Sequence, residues 1–243
     1  MSGVQRLLVV GAHAADFVWR AGGVIALVTA NGGEAIVLAL SYGERGESGE
    51  LWKEPGQTVE RVKAIRHEQV ERAAHLLGAR FVSFDLGDYP LEVDREATER
   101  LAQLIRDFRP DAIVTHTPID PFNPDHPVAN QAVQRARLLS SGAGVASAFE
   151  TIEPPPLYYS EPHQPELCGF VPNVFVDITP VFEQKVAAMK VMASQQYLQH
   201  YYAELAERRA NHARRISGAK DIRYAEAFQR VTPLVLRALL GHG

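Results

Sequence analysis

The feature that most constrains this chain is an alternation of short apolar runs with longer stretches of helical spacing. Residues 7–10 form an unbroken apolar run, as expected of a strand buried on both faces, and the run stops at Gly11, Ala12 and His13. Helical spacing over residues 17–30 ends at Asn31, Gly32 and Gly33. A second strand over 35–41, a Gly/Glu-rich loop over 43–56 and an amphipathic helix over about 59–77 follow, the last closing on Gly78. The pattern then repeats as a strand over 81–85, a helix over 95–108 ended by Pro110, a strand over 112–115 and a loop rich in Pro, Asp and Asn. Such alternation predicts an α/β class, Rossmann-like fold: a mostly parallel sheet with helices on both faces and right-handed crossovers, binding ligands beyond the carboxyl ends of its strands. Strand-like pieces at 157–160 and 174–178 extend the sheet, and helices are expected over 181–193 and from 196 to about 215. No internal repeat, low-complexity tract or Pro/Ser-rich linker interrupts the chain, so residues 1–243 are expected to form a single domain.

Composition narrows the chemistry. With 46% hydrophobic and 22% charged residues of interspersed sign, the chain has a soluble globular profile and is long enough to bury a core without a metal staple, so a bound metal is expected to be functional. A net charge of −4 without a long Lys/Arg block argues against nucleic acid as partner and for a small molecule. The apolar runs are too short and too interrupted for a membrane span. The single cysteine, Cys168, cannot form an internal disulfide and carries no redox or zinc spacing, which with the absence of a signal-peptide pattern predicts a cytoplasmic location.

Two polar clusters fall at strand ends. After the first strand comes Gly11-Ala12-His13-Ala14-Ala15-Asp16, where an imidazole and a carboxylate three residues apart can converge on one ion, a donor pair suited to Zn²⁺. Alternatively, Asp16 caps the helix and His13 packs at the strand end. After the fourth strand come His116, Asp120 and Asn123-Pro124-Asp125-His126-Pro127. Loops after strands one and four can adjoin at a topological switch point, so His126 is a candidate third ligand, leaving the open position that catalysis requires. Asp125 is a candidate for orienting a ligand histidine, and His116 is either a site residue or a strand-end hydrogen-bonding residue. Asp85, Asp88 and Tyr89 are given structural roles first, and Trp19 and Trp52 are read as packing residues.

A strand, then Ala-His-x-x-Asp, then a long gap to Pro-Asp-His resembles the LmbE/PIG-L superfamily of zinc-dependent deacetylases. The resemblance implies an LmbE-like fold and zinc held by His13, Asp16 and His126. It also exposes two departures: the family's general-base aspartate corresponds to Ala15, and the histidine that would stabilise an oxyanion corresponds to Asn123. Loss of a base typically removes roughly 10²- to 10⁴-fold of rate, so the metal site is retained while its usual acid–base set is replaced.

A narrower resemblance, to the 4-oxalomesaconate hydratase branch of the superfamily, rests on five stretches. They are Ala-His-x-Ala-Asp-Phe-Val-Trp-Arg-Ala-Gly-Gly, Ser-Tyr-Gly-Glu-Arg-Gly-Glu-Ser, Gly-Asp-Tyr-Pro, Asp-Pro-x-Asn-x-Asp-His-Pro and Glu-Pro-His-Gln-Pro-Glu. It implies a hydratase of gallate and protocatechuate catabolism acting on an unsaturated oxo-tricarboxylate, and a homo-oligomeric assembly. On this reading Glu47 and His163 are the acid–base candidates, the alternatives being a solvated loop glutamate and a structural histidine. Arg20, Arg45 and Asn123 are the candidates for holding the substrate, since guanidinium groups bind carboxylates bidentately. Arg20 can equally be a surface residue of its helix. The basic run over 208–215 reads as a solvated helix face unless a neighbouring copy brings it to a site. Competing readings are a deacetylase with Glu47 as base and a zinc-binding protein without turnover.

Overall fold

The computed structural model describes residues 3–235. Seven strands, β1 (Arg6–Gly11), β2 (Glu34–Ala39), β3 (Arg80–Ser83), β4 (Ala112–Thr115), β5 (Leu157–Ser160), β6 (Val174–Asp177) and β7 (Ala225–Arg230), form one sheet in the order β3-β2-β1-β4-β5-β7-β6. All pairings from β3 to β5 are parallel; β7 runs antiparallel to both β5 and β6. The chain leaves β1 first towards β2 and β3 and later returns to β4 on the other side, so a switch point lies between β1 and β4.

Six helices, α1 (Asp16–Ala30), α2 (Val59–Leu76), α3 (Arg95–Phe108), α4 (Asp125–Leu139), α5 (Phe182–Val191) and α6 (Tyr197–Ser217), cover the two faces. The period of two along a strand sends alternate side chains to opposite layers. Leu7 and Val9 of β1 join the core beneath α1, α2, α5 and α6, while Leu8 and Val10 join the core beneath α3 and α4. This two-sided burial is why β1 reads as a continuous apolar run. Two helix starts are held by side-chain caps, Thr58 accepting from the Arg61 N–H and Asp94 from the Ala97 N–H, each worth about 1 kcal/mol.

Three features differ from the sequence expectation. The Pro/Asp/Asn stretch is a loop only as far as Pro124; α4 begins at Asp125 and carries Pro127 in its first turn, where no intrahelical N–H bond is lost. Residues 225–230 form β7, whose alternation is masked because both faces are covered at its start. Strand β3 ends at Ser83, and Asp85 lies at φ 54°, off the extended conformation.

Helix α1 is anchored midway by a buried ion pair. Lys185 Nζ and Glu226 Oε1 lie 2.7 Å apart; Lys185 donates to the Trp19 carbonyl, and the Glu226 carboxylate accepts from the Gly23 and Val24 N–H groups. A Cβ on Gly23 would stand 2.7 Å from Ile178 and 2.9 Å from Glu226, so this close approach needs glycine. The amino-terminal half of α1, which carries Asp16 and Arg20, is thereby fixed against α5 and β7.

Candidate active site

The carboxyl ends of β1 and β4 bring His13, Asp16, His116, Asp120, Asp125 and His126 together at the switch point. Asp16 does not cap α1 in the usual way, since Ala15 is the cap position and makes no side-chain bond. Its carboxylate folds back instead: Oδ2 accepts the His13 N–H at 2.7 Å and lies 3.1 Å from His116 Nε2. Gly11 makes room for this, since a Cβ there would lie 2.8 Å from Asp16 Cβ.

One donor atom each from His13, Asp16 and His126 lie within 4.8 Å of one another. The nitrogen that each histidine turns away from this point is held by a carboxylate. His13 Nε2 lies 3.2 Å from Asp125 Oδ2, and His126 Nδ1 lies 2.7 Å from Asp120 Oδ2. His13 Nδ1 is then buried with no hydrogen-bond partner among the described residues, and His126 Nε2 stands 3.7 Å from Asp16 Oδ1. Two imidazole nitrogens and one carboxylate oxygen, with each ring oriented from behind by an acid, fit a divalent zinc-type ion with an open position.

The electrostatics agree with that fit. Burial disfavours the Asp16 anion, yet His116, His13 and His126 together hold it well below the usual carboxylate range. Burial, reinforced by His116, pushes His126 well below its ordinary value, so it is neutral and ready to ligate. For His13 burial acts downward, but the bond to Asp125 and the nearby Asp16 carboxylate outweigh it and raise the group to about 10. His116 stacks on His126 with ring centroids 3.9 Å apart, and its Nε2 lies 3.0 Å from the Ala12 N–H, so it supports the cluster from within the fold.

Beside the cluster a cavity of about 260 Å³ is lined by Asp16, Arg20, Glu47, Asn123, His126, His163 and Gln195, among others. Glu47 reaches it from a loop that is pinned at both ends. The Asp88 carboxylate accepts the Arg45 and Gly46 N–H groups, Ser48 Oγ donates to the Gly43 carbonyl, and the Tyr89 ring packs directly on Gly46. Glu47 Oε1 accepts from Asn123 Nδ2 at 2.7 Å, and Oε2 accepts from Gln195 Nε2 at 3.3 Å. Arg20 Nε lies 3.8 Å from Asp16 Oδ1 and Nη1 donates to the Glu161 carbonyl.

The family model described as "PIG-L: GlcNAc-PI de-N-acetylase" matches residues 8–137, more than half of the chain. The chain belongs to the PIG-L family. Among characterised PIG-L relatives, it is 44% identical over 235 residues to a 4-oxalmesaconate hydratase of Pseudomonas putida, covering 96% of this chain and 91% of that protein. A diacetylchitobiose deacetylase of Thermococcus kodakarensis is 28% identical over 201 residues, covering 79% of this chain and 70% of that protein. Among solved structures, the 4-carboxy-2-hydroxymuconate hydratase GalB of Pseudomonas putida superposes with a TM-score of 0.94 at 43% identity, covering 97% of this chain and all of that one.

Within this PIG-L fold, Ala15 is buried among apolar side chains and does not line the cavity. Of the residues singled out in the sequence, His13, Asp16 and His126 converge, and Glu47, Asn123, Arg20 and His163 reach the cavity. Arg45 is the exception: its side chain is exposed and absent from the lining, because the loop uses its backbone N–H to bind Asp88. His163 stacks on Tyr201 at 4.0 Å between centroids; partial burial and then the Arg20 charge keep its pKa below the ordinary value. The cavity is also lined by Asp120, which the sequence places in the second polar cluster without a role, and by Gln195 and Tyr202, which no motif marks. Asp120 precedes His126 within one short stretch, whereas Gln195 sits in a single helical turn after α5 with no local signal.

Proposed function

We propose that this chain is a metal-dependent hydro-lyase that adds water across the carbon–carbon double bond of 4-oxalomesaconate. The similarity that carries the reading is the 44% identity to a named hydratase over nearly the full length of both chains. Local chemistry supports it: the amide-hydrolase base position is a buried alanine, while a carboxylate from another loop, Glu47, faces the cavity beside the metal cluster.

His13, Asp16 and His126 are the residues we assign to hold Zn²⁺, which when bound supplies Lewis acidity to polarise an oxygen and to ease deprotonation of water. Glu47, held by two amide N–H donors, is the group that takes the proton from the attacking water as the new carbon–oxygen bond forms. The electron pair of the double bond moves towards the conjugated carbonyl, and the neighbouring carbon takes up one proton, returned by Glu47 or passed through His163. Both hydrogens and the oxygen of water thus end in the product. Arg20, the one guanidinium or ammonium group among the described residues lining the cavity, pairs with a substrate carboxylate, and Asn123 fixes Glu47 while facing the same space. A reducing cytoplasm and a role in gallate-type aromatic catabolism complete the proposal. The buried free thiol of Cys168 suits the former, and an oxo-tricarboxylate substrate suits the latter.

The test is an ultraviolet assay of zinc-loaded protein with 4-oxalomesaconate, alongside acetate release from N-acetylated sugars. Loss of the conjugated chromophore without acetate release is expected. Acetate release with an unchanged chromophore would return the chain to the deacetylases.

A further inference from the structure

A buried cation lies behind Glu47 and makes no salt bridge among the described residues, the Glu47, Asp16 and Asp88 carboxylates acting on it only from a distance. Arg66, on α2, is completely buried, and its guanidinium donates to three neutral acceptors: the Tyr42 carbonyl at 3.0 Å, Ser194 Oγ at 2.8 Å and Gln195 Oε1 at 3.1 Å. Its Nη2 has no hydrogen-bond partner among the described residues. Burying an ion without a directly paired counter-ion costs several kcal/mol, so packing alone is a poor account of an arginine here.

What it does is visible in the next residue. Gln195 Oε1 also accepts from Trp19 Nε1 at 3.3 Å. Guanidinium and indole N–H groups are donors only, so together they fix which end of the Gln195 amide faces them. The NH₂ end is thereby committed to Glu47 Oε2. The other oxygen is treated alike: Asn123 Oδ1 accepts from the Asp125 N–H, which turns Asn123 Nδ2 towards Glu47 Oε1. Were the Gln195 amide reversed, its oxygen would oppose the carboxylate at the same distance.

We infer that Gln195, locked by Arg66 and Trp19, is a positioning residue that holds Glu47 in one orientation facing the cavity. The inference rests on the proton-transfer role proposed above for Glu47. It assigns a task to three residues from α1, α2 and the turn after α5 that lie outside the metal-site motifs.

The test is a double-mutant cycle on the zinc-loaded, full-length protein, read by kcat and KM for 4-oxalomesaconate, bound metal and melting midpoint. Gln195→Met should lower kcat roughly 10- to 100-fold, the range of a hydrogen bond to a charged group, with KM within about twofold and metal content unchanged. In a Glu47→Gln background the same change should cost less than about twofold further, because Gln195 acts only through Glu47. Gln195→Glu separates positioning from packing: it still accepts from Arg66 and Trp19 but sets a second carboxylate against Glu47, so kcat should fall at least as far as in Gln195→Met, with bound metal unchanged. A Gln195→Met enzyme with kcat within twofold of wild type, a loss that adds in full to that of Glu47→Gln, or a loss carried by KM would overturn the inference alone. Wild-type turnover by Glu47→Gln would overturn the proton role of Glu47, and this inference with it.

Discussion

The two halves of the proposed active site are built on different plans. The metal half comes from two short stretches, residues 13–16 and 120–126, which β1 and β4 bring together at the switch point of the sheet. The proton half is assembled from Glu47 after β2, Asn123 before α4, Gln195 after α5 and His163 after β5; side-chain amides join the first three, while His163 shares only the cavity. A cluster made from two strand ends is held by the sheet itself and survives changes elsewhere in the chain. One spread over four connections has no such common frame; here the core closes over Ala15, and Glu47 faces the cavity.

The sharpest way to break this division is to disable the metal half alone. His126→Ala should remove the bound ion, measured by elemental analysis, and lower turnover on the order of 10³-fold or more, the several kcal/mol that Lewis-acid stabilisation supplies. A full equivalent of tightly bound zinc in that variant would contradict the ligand set. Next in size is Asp125→Asn, which leaves the donor atoms in place but weakens the acceptor behind His13. A 10- to 100-fold loss of metal affinity by competition with a chelator is expected, with turnover largely recovered at saturating metal.

The proton half offers a smaller contrast. His163 is exposed, its ring stacked on Tyr201 and edge-on to Tyr202, so His163→Ala should lower kcat by about 10²-fold, the lower end for a proton-transfer group, without loss of metal. A change within about threefold would leave Glu47 as the sole proton carrier.

The smallest effect is on stability and follows from Asp16. Its folded pKa is depressed, so its contribution is present above the ordinary carboxylate value and is lost as pH falls through the depressed one. In metal-free protein the melting-point gap between wild type and Asp16→Asn should therefore be steady from neutral pH down to the ordinary value of 3.8 and close only below it. A gap that closes already at pH 6 would mean that the neighbouring histidines do not hold the Asp16 charge.

The same division governs what the sequence discloses. Strand β1, the helices after it and the candidate metal donors are legible because each depends on spacing within one stretch: apolar runs for two-sided burial, a strand end followed by His and Asp for a candidate ligand pair. Helix α4 is hidden because its prolines look like loop punctuation, although a proline in the first turn of a helix costs no hydrogen bond. Strand β7 is hidden because a pairing between β5 and β6 is non-local. Arg45 and Arg20 look alike in sequence; only the fold shows that Asp88 turns the loop so that Arg45 points outward while α1 aims Arg20 along the cavity wall. Gln195 carries no pattern at all, and its meaning lies in an amide orientation set by Arg66, 129 residues away in the chain.

The central claim is that the metal half and the proton half are separable, and Glu47→Gln tests it most directly when metal content and turnover are measured on one sample. The predicted result is a full complement of bound zinc with kcat for 4-oxalomesaconate hydration reduced by about 10²- to 10⁴-fold. Full zinc with turnover within about threefold of wild type would contradict it, since the proton would then be carried by some other group.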